Sequence, residues 1–181
     1  MYIDKQILTK NPFSRPGTAL KYVAGIVIHW IGNPNTTAIA NRNYFETLKS
    51  QNEKNPSARY ASAHFICGLG GEIIQCVPDY EMAYHVGAKV YTELALKKLS
   101  SYPNNCTIGI ELCHPDWTGQ FNAETIESAH ELIDYLFGIY DLTADNIYRH
   151  FDITEKECPL YFVKNPAAWA EFIDKIKNNK K

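Results

Sequence analysis

Strands interspersed with helices predict an α/β or α+β fold, with one sheet under a helical cover. Three observations carry that expectation. YVAGIVIHWIG (22–32) is a near-continuous β-branched apolar run, as in a strand buried on both faces. Asn122 to Tyr140 repeats apolar residues at 3–4 spacing, the period of a helix with one face on a core. The 181 residues, 45% hydrophobic and 21% charged, are enough for one domain with a substantial core and exclude disorder of the whole chain.

In chain order, residues 1–20 contain Pro12, Pro16 and Gly17 and read as an irregular lead-in. The strand run at 22–32 stops at Gly32-Asn33-Pro34, a strong breaker. From Thr36 to about Asn52 the period turns helical, with Ile39, Tyr44, Phe45 and Leu48 on one side. SAHFICGLGGEIIQCV (62–77) reads as two strands joined by a Gly-rich turn, and CTIGIELC (106–113) as another short strand. Asn122 caps the clearest helix, whose apolar stripe is Ile126, Ile133, Leu136, Phe137 and Tyr140. The last helix opens at Asn165-Pro166, a cap followed by proline at the first helical position. Trp169, Phe172, Ile173 and Ile176 form its core face, and KNNKK is expected to be solvated and frayed. With no internal repeat, the chain reads as a single domain over 1–181. Its core is expected over about 20–175, with 176–181 a tail or the start of a linker.

Charge and cysteines narrow the function. Lys plus Arg is 18 and Asp plus Glu is 20, a net charge of −2, without the basic excess usual in nucleic-acid binders. Five cysteines, an odd number, argue against a complete disulfide framework and for reduced thiols. The N-terminal MYIDKQILTK has no apolar core of a secretory signal, and no run approaches the ~20 apolar residues that span a bilayer. The chain is therefore expected to be made in the cytoplasm, without membrane insertion, and to act elsewhere only after release.

Among six histidines, two stand out by context. His29 ends the most buried strand, and His150 stands eight residues before Cys158 in NIYRHFDITEKECP (146–159). Imidazole and thiolate are preferred zinc ligands, and three of them leave a fourth position open for catalysis. Spacing alone also allows a surface histidine and a small buried thiol. Glu111 is a charge inside a core-like strand, on the face of Gly109 and Cys113, whose small side chains leave room for a substrate. It reads as a carboxylate facing a cleft or a cation, or as an edge-strand glutamate in solvent. Lys156 reads as an oxyanion-stabilising ammonium near such a site or as a solvated loop lysine. His85, before Gly87 in AYHVGA, is a candidate substrate contact. His64 lines the site or packs, His130 is expected in the core, and His114 carries no signal. Cys67, Cys76, Cys106 and Cys113 read as small core residues.

IVIHWIG (26–32), SAHFI (62–66), TIGIELC (107–113) and RHFDITEKECP (149–159) occur together in one order. In that combination the chain resembles, over roughly residues 20–175, the zinc-dependent N-acetylmuramoyl-L-alanine amidases of the Amidase_2 type. That family includes phage endolysins, bacteriophage T7 lysozyme and peptidoglycan recognition proteins. The resemblance implies a central mixed sheet flanked by helices, with zinc in a groove at one sheet edge. It implies one Zn²⁺ on His29, His150 and Cys158, with Glu111 as acid/base and Lys156 assisting. It also implies peptidoglycan as partner, hydrolysis of the bond between N-acetylmuramic acid and L-alanine, and action at the cell wall; a monomer is expected. Ala63 stands where T7 lysozyme-like members carry a catalytic tyrosine, which throws more acid/base work onto Glu111. Noncatalytic members typically lack the cysteine ligand, so Cys158 favours an enzyme over a binding module. An amidase recycling soluble muropeptides is a further alternative.

Overall fold

The computed structural model describes residues 1–178. Its frame is a six-stranded sheet in the order β1 (Ile3–Lys5), β4 (Ile73–Gln75), β3 (Phe65–Cys67), β5 (Thr107–Leu112), β2 (Gly25–Trp30) and β6 (Ile147–Arg149). Neighbours are parallel except in the β3–β4 hairpin, so the sheet is mixed.

Helices cover both faces of the sheet, which is why β2 reads as an unbroken apolar run. Ile26 and Ile28 of β2 and Ile108, Ile110 and Leu112 of β5 face α3 (Ala123–Ile139) and α6 (Pro166–Asn178). Burying each such side chain contributes about 1.5–3 kcal/mol. Alternation sends Val27 to the other face, where it packs with Ala95 of α2 (Glu93–Lys98) and Ile153 of α4 (His150–Thr154). On that face Ile66 and Ile74 also meet Phe45 of α1 (Ala38–Thr47). A last short helix, α5 (Leu160–Lys164), leads into α6. The Asn122 side chain caps α3 by accepting from the Thr125 amide, and α6 starts at Pro166 as the cap-proline pair predicts. Because α6 runs through Asn178 and fully buries Ile176, the helix takes in the first residues of the segment read as tail. Residues 179–181 lie outside the described residues.

Two expectations change. The buried side of α1 is Ala38, Asn41 and Phe45, while Ile39 and Tyr44 are 40% and 44% exposed. Asn41 is held there by its own bonds to Thr36 Oγ1 and the Thr37 carbonyl, both 2.9 Å, so a polar residue occupies part of the core face. The lead-in is not irregular throughout. Ile3–Lys5 adds an edge strand beside β4, too short to display alternation.

After that strand, α1 holds the chain through charged groups. Arg42 donates to the carbonyls of Gln6 and Ile7 at 2.8 and 3.0 Å. Glu46 accepts from the Thr9 amide and hydroxyl at 3.1 and 2.6 Å and pairs with Lys49 and Arg42. Partial burial would raise the Glu46 pKa, but the Lys49 and Thr9 hydrogen bonds and the Arg42 charge bring it from 4.5 to about 2. A depressed carboxylate contributes stability above its unfolded pKa and loses it as pH falls through the folded value. Glu46→Gln is therefore expected to lower stability at pH 7 by on the order of 1 kcal/mol after solvent screening. In urea melts the gap should close between pH 4.5 and about 2.

Candidate metal centre and groove

Strand register sets the first two site residues side by side. His29 pairs with Glu111 across β2 and β5, on the face of Val27. Arg149 pairs with Ile28, so the chain leaves edge strand β6 level with His29, and His150 opens α4 there. The Arg149 guanidinium and amide hold Asp152 at 2.7 and 2.8 Å, which shapes the first turn of α4. After Glu155, in the left-handed region at φ 63°, the chain doubles back, and the Phe151 amide donates to the Cys158 carbonyl at 2.9 Å. That closure gives the eight-residue interval its meaning, because it brings Cys158 back beside His150.

One ligand atom from each of His29, His150 and Cys158 lies within 4.8 Å of the other two. His29 Nδ1 is 3.7 Å from Cys158 Sγ, and the His29 and His150 rings are 4.7 Å apart. All three residues are buried, and His150 Nδ1 has no hydrogen-bond partner among the described residues. A buried nitrogen without a partner is costly unless something fills the position it faces. Two imidazoles and a thiol suit a borderline-soft cation such as zinc, with a fourth coordination position left for a small molecule.

The electrostatics fit that use. Burial pushes His29 well below its ordinary pKa, helped by the charges of His150, His85 and Lys156. Burial and the Lys156 charge bring His150 to about 3. Both rings are neutral and available as ligands. Burial pushes the Cys158 thiol up to about 12, assisted by the Glu111 charge and opposed by a Trp30 backbone hydrogen bond and Lys156. Glu111 is raised by burial to about 8, with Lys156 opposing, and its Oε2 has no hydrogen-bond partner among the described residues. Since β5 is flanked by β3 and β2, Glu111 is not an edge-strand residue in solvent. Lys156 is exposed on the groove wall, where its charge acts on Glu111 and all three candidate ligands.

The room expected beside Gly109 is filled. A Cβ on Gly109 would stand 2.6 Å from His85 Cγ and 2.7 Å from its Nδ1. His85 is 8% exposed, and its Nδ1 lies 3.0 Å from His29 Nε2. Gly109→Ala is expected to destabilise the protein by about 1–3 kcal/mol, the usual cost of overpacking a filled core, in thermal melts. His64 braces the sheet instead of lining the groove. Its Nδ1 accepts from the Gly109 amide at 2.9 Å, and its Nε2 donates to the Glu81 carbonyl at 2.8 Å. His130 is buried and stacks on Phe172 at 4.5 Å, as a core histidine. His114 stacks on Trp30 at 4.7 Å. The five thiols are free and buried.

Above the cluster lies a groove of about 910 Å³. Tyr44, Tyr60, Tyr84 and Tyr102 line it, with Arg59 as a second cation. Flat aromatic faces suit sugar rings, and cations suit carboxylates. Apart from Tyr44, read as part of a helix's apolar side, none of these residues stands out in the sequence. They come from α1 and from separate loops, and neither motif nor period links them.

A family model described as N-acetylmuramoyl-L-alanine amidase (Amidase_2) matches residues 19–160. A probable N-acetylmuramoyl-L-alanine amidase of Bacillus licheniformis is 35% identical over 92% of this chain and 44% of its own length. The amidase CwlL of the same species is 30% identical over 98% of this chain and 48% of its length. The chain thus spans about half the length of these relatives. Among solved structures, PlyL superposes with TM-score 0.75 at 21% identity, covering 98% of both chains. The catalytic domain of XlyA superposes with TM-score 0.71 at 24% identity, covering 97% of this chain and 99% of its own. At these identities the two structures speak to the fold.

Proposed function

The chain belongs to the Amidase_2 family of N-acetylmuramoyl-L-alanine amidases, and from that premise we propose that it hydrolyses the bond between N-acetylmuramic acid and L-alanine in peptidoglycan. One observation carries the reading. A partly buried carboxylate, Glu111, whose Oε2 has no hydrogen-bond partner among the described residues, stands in strand register with a member of a His-His-Cys cluster beneath a tyrosine-lined groove.

His29, His150 and Cys158 would hold zinc, which supplies a Lewis acid for the amide carbonyl and a more acidic water. The tyrosines bind the glycan and the flanking peptide. Glu111 accepts the proton of the attacking water as oxygen adds to the amide carbon, and delivers it to the leaving nitrogen as the C–N bond breaks. Burial equips Glu111 for both steps by raising its pKa toward neutrality, where a carboxylate both takes and gives a proton. The Lys156 ammonium stabilises the negative charge that develops on the carbonyl oxygen. The products are a lactyl carboxylate on the glycan and a peptide with a free L-alanine amine.

We assign the activity to intact wall, in an endolysin or autolysin role. Digestion of purified sacculi should release new L-alanine N-termini and no new reducing sugars. New reducing ends without new amines would overturn the proposed bond, and cleavage confined to soluble muropeptides would overturn the wall-lytic role.

A further inference from the structure

His85, a candidate substrate contact in the sequence, touches His29 and takes no part in the steps proposed above. We propose that His85 is a positioning residue that, together with Thr107, fixes the tautomer and ring orientation of His29 and so turns its Nδ1 lone pair toward the metal centre. The proposal rests on the zinc reading.

The hydrogen bonds permit one arrangement of protons. The Thr107 carbonyl oxygen only accepts. Thr107 Oγ1 gives its own proton to the Pro103 carbonyl at 2.7 Å, so toward His85 it also accepts. These two oxygens lie 3.3 and 3.2 Å from His85 Nε2, which therefore carries the His85 proton. The 3.0 Å contact between the two rings holds one proton, and a ring that carries its own proton on Nε2 offers Nδ1 as the acceptor. His85 Nδ1 is then bare and accepts from the nitrogen 3.0 Å away, so His29 Nε2 is the donor. The remaining nitrogen of His29, Nδ1, is left unprotonated on the side facing Cys158 Sγ.

His85 is itself held on three sides. Asn104 Oδ1 accepts from the amides of His85 and Val86 at 3.1 and 2.9 Å, the Thr107 oxygens fix the far nitrogen, and Gly109 leaves the ring its space. The two rings meet edge-on, with centroids 5.2 Å apart at 85°. Partners of this kind, bonded to the far nitrogen of a ligating histidine, typically contribute 10–100-fold in metal affinity.

The test measures zinc affinity by chelator competition for wild type, His85→Ala and His85→Asn, and the histidine tautomers of the wild type by long-range ¹H–¹⁵N NMR. Asn Oδ1 is as many bonds from Cβ as His Nδ1, so it restores the acceptor for His29 without restoring the ring. The expected result is Nε2 protonation of both His29 and His85, a roughly 10–100-fold weaker affinity in His85→Ala, and recovery of most of the loss in His85→Asn. A structural role alone would weaken both variants alike. A His29 proton on Nδ1, unchanged affinity in a folded His85→Ala, or equal loss in both folded variants overturns the proposal. If neither variant folds, the wild-type tautomers decide it. A wild type that takes up no zinc removes the zinc reading and the proposal with it, whereas a zinc-loaded wild type with the wrong tautomers removes this proposal alone.

Discussion

Purified Cys158→Ala is expected to carry less than about a tenth of the zinc of a near-stoichiometric wild type, measured by plasma mass spectrometry. The cluster has three side chains, and the loss of one leaves two neutral imidazoles without the anionic ligand that balances a divalent cation. Hydrolysis of peptidoglycan should fall at least about 10³-fold, because the Lewis acid supplies several kcal/mol and each 1.36 kcal/mol is a factor of ten. Protonation gives a second readout. Burial leaves the histidines neutral and holds the Cys158 thiol protonated, up to about 12, so zinc uptake must expel the thiol proton. Calorimetry in buffers of different ionisation heat should detect about one proton released per zinc in the wild type and none in Cys158→Ala. Zinc affinity should rise with pH. A wild type that stays metal-free after zinc is offered would move the protein from enzyme to binding module.

Glu111→Gln should separate chemistry from metal binding. Zinc content is expected to stay at the wild-type level while hydrolysis falls about 10²–10⁴-fold, the usual worth of a positioned acid/base. Full activity in the Gln variant would remove Glu111 from that role. A base acts deprotonated, so the wild-type rate should climb with pH through the Glu111 pKa. That pKa is about 8 without a cation in the site, and a bound cation lowers it, as the Lys156 charge already does. The same shift has a stability cost of opposite sign to that of Glu46. Between pH 4.5 and about 8 the unfolded chain gives up the Glu111 proton while the folded chain keeps it, so stability falls as pH rises. Metal-free Glu111→Gln should therefore match wild type near pH 4 and exceed it at pH 8, by on the order of 1 kcal/mol with allowance for solvent reaching the groove. A carboxylate buried for proton transfer would thus burden the metal-free fold, a common trade between stability and activity.

Elements with a strong local signal were legible in the chain. Helix α3 and its Asn122 cap, α6 from Pro166, the β3–β4 hairpin and the doubly buried β2 each follow from a pattern that local physics enforces. Strands β1 and β6 were not, because three residues show no alternation and, unlike β3 and β4, these two are not joined by a Gly-rich turn that marks them. Tyr44 misled for a different reason. It is an apolar-looking helix residue assigned to a groove wall, and composition does not separate the two uses.

By itself the sequence determined the sheet-and-helix class, the family motifs, and the four residue types a zinc hydrolase would need, at His29, His150, Cys158 and Glu111. Tertiary structure decided how they meet. Register aligned His29 with Glu111, and the backbone closure from Phe151 to Cys158 gave the eight-residue spacing its geometry. Only the folded chain could seat His85 between Thr107, Gly109 and His29, and gather tyrosines from α1 and separate loops into one groove. The physical reason is range. Propensity and period act within a few residues, whereas a hydrogen-bonded chain from Pro103 to Cys158 by way of Thr107, His85 and His29 exists only once distant segments have packed.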